Sequence, residues 1–288
     1  MVGIVFFKRD DCILKTIFWE FCRQNIIRVN SDIEALNMLP EDCLSVVLSF
    51  TSPEDALRSS LVSSVFRSAT DSDMVWERFL PPDYPEIVSN SVRPLEFRSK
   101  KELFQCLCDS VPIDGGNKIL KLEKSTGKKC YILSAQQLSI TWSSNALYWS
   151  WIPMAESRFS RVAVLRTTDW LEVRGSIRTQ MLSPNTSYGV YLVMQVLERA
   201  YGLDLMPLEM RLEVGNKVCC TSVFLEEKKQ MSEREDGWMA MELGDFFSGD
   251  KDEVVKMSLM EIKGCHLKAG LVIEGIEFRP KLQNMISK

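Results

Sequence analysis

This chain of 288 residues contains a single histidine, His266. That scarcity excludes much chemistry at once. A Ser–His–Asp set or a Cys–His pair needs a histidine beside its nucleophile, and His266 follows Gly264-Cys265 in a turn-like stretch and reads as a surface residue. Zinc sites that mix cysteine and histidine are equally short of ligands, and the nine cysteines hold no spaced CxxC pairs. Cys106 and Cys108 stand two apart, a spacing that does not share a helix face. Cys219 and Cys220 would point to opposite faces of a strand. No catalytic residue, metal or cofactor is therefore expected. The odd, scattered thiols fit a reduced protein of the cytoplasm or nucleus.

Long apolar runs are also missing. The start, MVGIVFFKRDD, is broken by Lys8, Arg9, Asp10 and Asp11, and is too short for a signal-peptide core or a membrane span. There is no excess of positive charge either: 35 Lys and Arg stand against 39 Asp and Glu, a net of −4, so no nucleic-acid-binding face is expected. What remains is an ordinary globular composition, 45% hydrophobic and 26% charged, at a length that suits two domains better than one.

Helical punctuation fills the first third. Residues 1–32 form an extension in which Ile13, Leu14, Ile17, Phe18 and Phe21 fall at helical spacing; no function is assigned to it. From Leu39-Pro40 the pattern sharpens. Leu44, Val47 and Leu48 make one apolar stripe over a helix from about Glu41 to Phe50. Ser52-Pro53-Glu54-Asp55 caps and starts a second helix, carrying Leu57 and Leu61. Val65 and Phe66 follow, then Asp71 to Asp73 offers a third cap before Val75, Trp76, Phe79 and Leu80, and Pro81-Pro82 stops the run. Trp76 reads as a buried anchor. Residues 83–116 read as a linker with one helix, opened by a capping box at Ser99 and Glu102 and closed by Pro112 and Gly115-Gly116.

After Asn117 the period changes to alternation. Lys118–Leu122 and Lys129–Leu133 flank a hairpin turn at Ser125-Thr126-Gly127. Strand-like runs recur at 138–142, 161–165, 170–178, 187–197, 209–214, 218–226, 238–243, 254–262 and 271–279. In 170–178, Leu171, Val173, Gly175 and Ile177 alternate with Trp170, Glu172, Arg174 and Ser176. Many short strands separated by turns predict a β-sandwich or barrel rather than βαβ units. The fold class expected is α+β, a small all-α module at 33–82 and an all-β sandwich at 117–288.

Two resemblances follow from these motifs. The ordered set Leu39-Pro40, Leu44, Val47-Leu48, Asp55, Val62 or Val65, Phe66-Arg67 and Trp76 resembles an F-box, the module that binds a Skp-class adaptor and through it a cullin. Phe66 departs from the tryptophan the family often has there, which implies weaker adaptor packing at most. The resemblance implies that Leu39, Pro40, Leu44, Val47 and Leu48 lie on or near the adaptor surface; the second reading is that some of them hold the three helices together. The runs LSITWSSNALYWSW (138–151), WLEVRGSIRT (170–179), SYGVYLVMQV (187–196), DGWMAMELGDFF (236–247) and LVIEGIEFRP (271–280) resemble the phloem protein 2 domain, also called Nictaba-like. The whole looks like a plant F-box protein of the phloem protein 2 B class. That implies a jelly-roll-like sandwich and, as in the lectins of the family, binding of N-acetylglucosamine oligomers and N-glycan cores.

A lectin needs an aromatic face for the C–H face of a pyranose and a few polar groups for its hydroxyls. Trp142, Tyr148, Trp149 and Trp151 supply aromatics, and Asn145 and nearby serines supply polar groups. The tryptophans matching Trp142 and Trp149 are those the resemblance ties to sugar. Trp142, in phase with Leu138 and Ile140, also fits a core position; Trp149 reads as lying in a loop; Trp151 fits either site or core; Trp170 and Trp238 read as structural. The expected function is the substrate-recognition subunit of a Skp–cullin–F-box ubiquitin ligase with a glycan or glycoprotein target. The alternative is a lectin acting outside ubiquitination. A carbohydrate-cleaving enzyme would need two paired carboxylates, and nothing in the spacing pairs Glu209, Glu213, Glu242, Asp245 or Glu261.

Overall fold

The computed structural model describes residues 39–225, 231–234 and 236–281. The helix expected in the 1–32 extension lies outside the described residues. The chain divides into two units. A helical unit takes the residues up to Pro82 together with Glu96–Cys108 and Lys124–Gly127, and a sheet unit takes Asp83–Leu95, Asp109–Glu123 and the residues from Lys128 on. The expected linker at 83–116 is thus shared out between the two.

In the helical unit, α1 (Glu41–Ser49), α2 (Pro53–Ser59), α3 (Ser64–Asp71) and α4 (Asp73–Phe79) follow one another closely. Ser52 caps α2 by accepting Asp55 N at 3.1 Å. After α5 (Tyr84–Ser89), which belongs to the sheet unit, α6 (Lys100–Cys108) returns to the helical one. The reason is burial: Leu103, Phe104 and Leu107 of α6 are nearly inaccessible, and Phe104 meets the fully buried Trp76, ring centres 5.1 Å apart. The Trp76 indole donates to Thr70 O at 2.6 Å, so its one polar atom is satisfied. At α6, Glu102 N donates to Ser99 Oγ as expected of a capping box, but the Glu102 carboxylate accepts Arg98 N, one residue earlier than the motif predicts. Asp73 accepts Lys100 N at 2.8 Å, satisfying another orphan donor of that helix. The turn at Gly127, φ +70, leaves no room for a Cβ, which would sit 2.9 Å from Phe79 O.

The sheet unit holds two antiparallel sheets, the sandwich-like arrangement expected. Its strands are β1 (Val111–Ile113), β2 (Lys118–Leu122), β3 (Lys129–Ser134), β4 (Ser139–Ile140), β5 (Trp149–Ile152), β6 (Val162–Leu165), β7 (Leu171–Arg178), β8 (Thr186–Tyr201), β9 (Leu208–Val214), β10 (Lys217–Val223), β11 (Met231–Glu233), β12 (Met239–Ser248), β13 (Val254–Glu261) and β14 (Ala269–Pro280). One sheet runs β1-β2-β3-β14-β8-β12-β11, with β6 pairing β14 and β5 pairing β6; the other runs β10-β9-β13-β7-β4. Alternation was a sound guide: Leu171, Val173 and Ile177 are buried and Arg174, Ser176 and Arg178 are exposed. Three short strands, β1, β5 and β11, were not expected from the pattern.

β14 is the centre of its sheet, buried along its length until its last two residues. At Gly275 it approaches β3 so closely that an added Cβ would lie 1.9 Å from Leu133 O. Gly275→Ala is expected to force β14 off β3 and to cost roughly 2 kcal/mol. At ~2–4 °C per kcal/mol that lowers the melting temperature by about 4–8 °C, measurable by calorimetry. Loop residues before β6 and β12 pack onto this sheet. There Val162, Val193, Trp238 and Val272 form one apolar cluster and Ile119, Ile132 and Phe159 another. Trp238 is structural, as expected, with its indole donating to Glu156 O at 3.0 Å.

Two buried glutamates, Glu274 and Glu277, lie on β14 itself. Arg158 pairs with Glu274, and Glu277 accepts Arg279 at 2.9 Å and Arg234, with Arg158 3.8 Å away. Burial pushes the Glu277 carboxyl upward, but the hydrogen bond from Arg279 and the charges of Arg279, Arg234 and Arg158 outweigh it and hold it below the ordinary range. A carboxyl depressed in the folded state stabilises above its unfolded pKa, and that stability is lost as pH falls through the folded value. Thermal stability should therefore fall on acidification below about pH 4.3, where an unperturbed glutamate titrates. Glu277→Gln should flatten that limb while costing about 1–3 kcal/mol at neutral pH, because the half-buried Arg279 loses its carboxylate whereas Arg158 and Arg234 keep Glu274 and Asp236. Melting curves of both proteins from pH 7 to 3 test this.

Candidate functional sites

The segment 141–148 carries the chain from one sheet to the other. Before it, Ser139 and Ile140 of β4 pair with Arg174 and Val173 of β7; after it, Trp149–Ile152 of β5 pairs with Leu165–Val162 of β6. The crossing is made by consecutive turns. Ser143 N donates to Ile140 O at 3.1 Å, Asn145 N to Trp142 O at 2.9 Å, and Tyr148 N to Asn145 O at 3.0 Å. The Asn145 side-chain oxygen accepts Leu147 N at 3.0 Å, which is the turn-forming use of asparagine.

Trp142 heads this crossing with φ +60. The other described non-glycine residues at positive φ are Asp114 and Asn185, types that tolerate the left-handed region; a bulky aromatic does not, and such strain collects at binding and catalytic sites. Trp142 is 43% exposed and its ring lies against Tyr148, centres 4.9 Å apart at 31°. An exposed ring backed by the half-buried Tyr148, on a strained, hydrogen-bonded turn, is suited to stacking.

Trp149 is placed otherwise than expected. It opens β5 rather than lying in a loop, is 2% exposed, and cannot stack on a ligand. Its indole donates to Thr141 O at 3.1 Å, and that of the half-buried Trp151 to Ser143 O at 2.9 Å. The two tryptophans brace the turn that presents Trp142, one bond on each side of it. Of the two tryptophans that the resemblance ties to sugar, Trp142 faces solvent and Trp149 lies in the core. Asn145 is exposed, and its amide NH2 has no protein acceptor among the described residues.

Trp170 and Glu172 are joined to this turn through Thr141, and sequence reasoning singled out neither for binding. Trp170, read as structural, is 39% exposed. Glu172 accepts Thr141 Oγ1 at 2.8 Å and is also held by Trp170 and Arg174. Burial works against its ionisation, yet the hydrogen bonds from Trp170, Thr141 and Arg174 with the Arg174 charge hold it below the usual carboxylate range. The outward phase of Glu172 in the β7 alternation was the available signal.

In the helical unit the expected adaptor set divides. Leu39, Pro40 and Val47 are exposed, whereas Leu44 at 2% and Leu48 at 0% form core. Only the first three can meet a partner in this arrangement. The stripe at i, i+3, i+4 spans two faces because a nine-residue helix flanked by α3 and α4 buries just one of them. Phe66, 5% exposed, is also core, so its departure from the family pattern bears on packing within the module. Additional apolar exposure comes from Val46, Leu57, Leu61 and Val62.

His266 is only partly exposed, with its Nε2 3.1 Å from Gly202 O, a correction to its reading as a surface residue. Among the described residues no group of His, Cys, Asp or Glu could hold a metal, and no helix is long and apolar enough to cross a membrane.

The family model for the F-box domain matches residues 36–78, and that for phloem protein 2 matches residues 128–280. F-box protein PP2-B15 of Arabidopsis thaliana is 50% identical, covering 85% of this chain and 96% of the relative. F-box protein PP2-B13 of the same plant is 46% identical, covering 84% and 98%. Among solved structures, a Podospora anserina GH26-CBM35 β-(1,4)-mannanase aligns at 8% identity with a TM-score of 0.34, over 55% of this chain and 29% of that one, too remote to argue from. With both modules matched in order and relatives this similar over nearly their whole length, the chain belongs to the plant F-box proteins of the phloem protein 2 B class.

Proposed function

We propose that this chain is the substrate-recognition subunit of a Skp–cullin–F-box ubiquitin ligase and that its sheet unit selects targets by their glycans. The F-box match and the exposed Leu39, Pro40 and Val47 support the adaptor end. The observation that carries the target end is Trp142, an exposed tryptophan held at φ +60 and packed against Tyr148. It suits the C–H face of a pyranose, and N-acetylglucosamine oligomers or N-glycan cores are the ligand class. The protein's contribution to ubiquitin transfer is proximity, with the chemistry on other subunits. The seven described cysteines, none joined in a disulfide, accord with action in the cytoplasm or nucleus.

Reconstitution tests this reading. With a Skp-class adaptor, a cullin ligase and this chain, an N-glycosylated acceptor should be ubiquitinated. The same acceptor stripped of its glycans should not. Equal modification of both would remove the glycan from the account.

A further inference from the structure

This inference rests on the glycan reading above. Thr141 and Glu172 are cross-strand neighbours: Thr141 N donates to Glu172 O at 3.0 Å and its Oγ1 to Glu172 Oε2 at 2.8 Å. The same Oε2 accepts the Trp170 indole at 3.2 Å, and Oε1 accepts Arg174. One carboxylate thereby ties the turn carrying Trp142 to the ring of Trp170. The backbone before Trp170 is anchored as well. Thr168 Oγ1 accepts Trp170 N at 3.0 Å, and Thr168 and Lys268 form a β-bridge. Lys268, 1% exposed, donates to Asp169 O at 2.7 Å and pairs with Glu261, itself 4% exposed.

Burying that ion pair carries a desolvation cost, and an exposed indole returns little to folding. A rigid backbone under an exposed ring is what a binding platform needs, because its ordering is complete before the ligand arrives. We propose that Trp170 is a second stacking platform beside Trp142 and that Glu172 positions both, so that the face takes an oligosaccharide of at least two pyranose rings. Arg174, whose side chain is 61% exposed, offers its remaining N–H groups to a hydroxyl or an acetamido carbonyl.

The test is calorimetric titration of the full chain with N-acetylglucosamine and with its β-1,4-linked trimer. The wild type should bind the trimer more tightly. Trp170→Ala should weaken the trimer about tenfold, toward the monomer's affinity, and leave the monomer and the melting temperature unchanged. Glu172→Ala, which releases both the Trp142 turn and the Trp170 indole, should weaken trimer and monomer alike without collapse of the fold, and Glu172→Gln, which keeps one acceptor oxygen, should recover part of both losses. A structural role alone would instead weaken both sugars together as the fold melts earlier. Unchanged trimer affinity in Trp170→Ala, with Trp142→Ala losing both sugars, overturns the second platform and leaves the glycan reading standing. A wild type that binds neither sugar overturns both.

Discussion

Trp142→Ala is expected to lose glycan binding almost completely while melting only about 1–6 °C below the wild type. The two effects separate because the ring is largely outside the core. It is 43% exposed, and its described ring contact is with Tyr148. Losing that contact costs about 0.5–1.5 kcal/mol. The loss in binding is larger, since central aromatic anchors carry 2 kcal/mol or more, ~30-fold in affinity. Trp142→Gly sharpens the contrast. Glycine removes the ring and relieves the left-handed strain at φ +60, so stability should hold or rise although binding is gone. Trp149→Phe should behave differently. It keeps most of the buried volume but removes the donor to Thr141 O, so stability and binding should fall together. Thermal melts beside titrations with the trimer of N-acetylglucosamine read all three. If Trp149→Phe alone abolished binding and Trp142→Ala spared it, the assignment of the exposed ring would be wrong.

The second large effect lies at the other end. A Leu39→Ala/Pro40→Ala double variant should lose a Skp-class adaptor in co-purification while keeping its fold and its glycan binding. Leu39 is 39% exposed and Pro40 is exposed, so neither supports the core. Leu48→Ala should also lose the adaptor, but by another route. Leu48 is fully buried, and a leucine-to-alanine truncation in a core costs about 2–5 kcal/mol. A module this small has little stability to spare. Adaptor loss with intact melting for the first variant, and with collapsed melting for the second, distinguishes a contact from a support. Loss of helix signal in both would mean that Leu39-Pro40 holds the module together rather than meeting a partner.

These contrasts also show where the sequence was legible. Alternation in 171–178 assigned inward and outward residues of β7 correctly because each strand there packs one face on the other sheet. Trp76 could be read as an anchor because its helix ends at Pro81-Pro82 and nothing else in the module is as large. Trp149 could not be placed. The segment around it mixes turn residues with aromatics, and its burial depends on pairing with β6, a neighbour that local spacing does not reveal. Trp142 has the phase of a core residue after Ile140, but a left-handed backbone breaks the alternation at that position. Trp170 looked like a strand opener, and only the hydrogen bond to Glu172 shows that its indole is held at the surface. The helix α6 was read as linker because the partner that buries it, Trp76, lies far off in sequence.

The central claim is that one chain holds an adaptor and a glycan at once. The most direct measurement loads the chain on an immobilised N-acetylglucosamine trimer and passes a Skp-class adaptor over it. The account predicts that the adaptor is retained only where the chain is bound, and that free trimer elutes both together. Adaptor that flows through a surface holding folded chain would contradict it, and would leave a lectin that works outside ubiquitination.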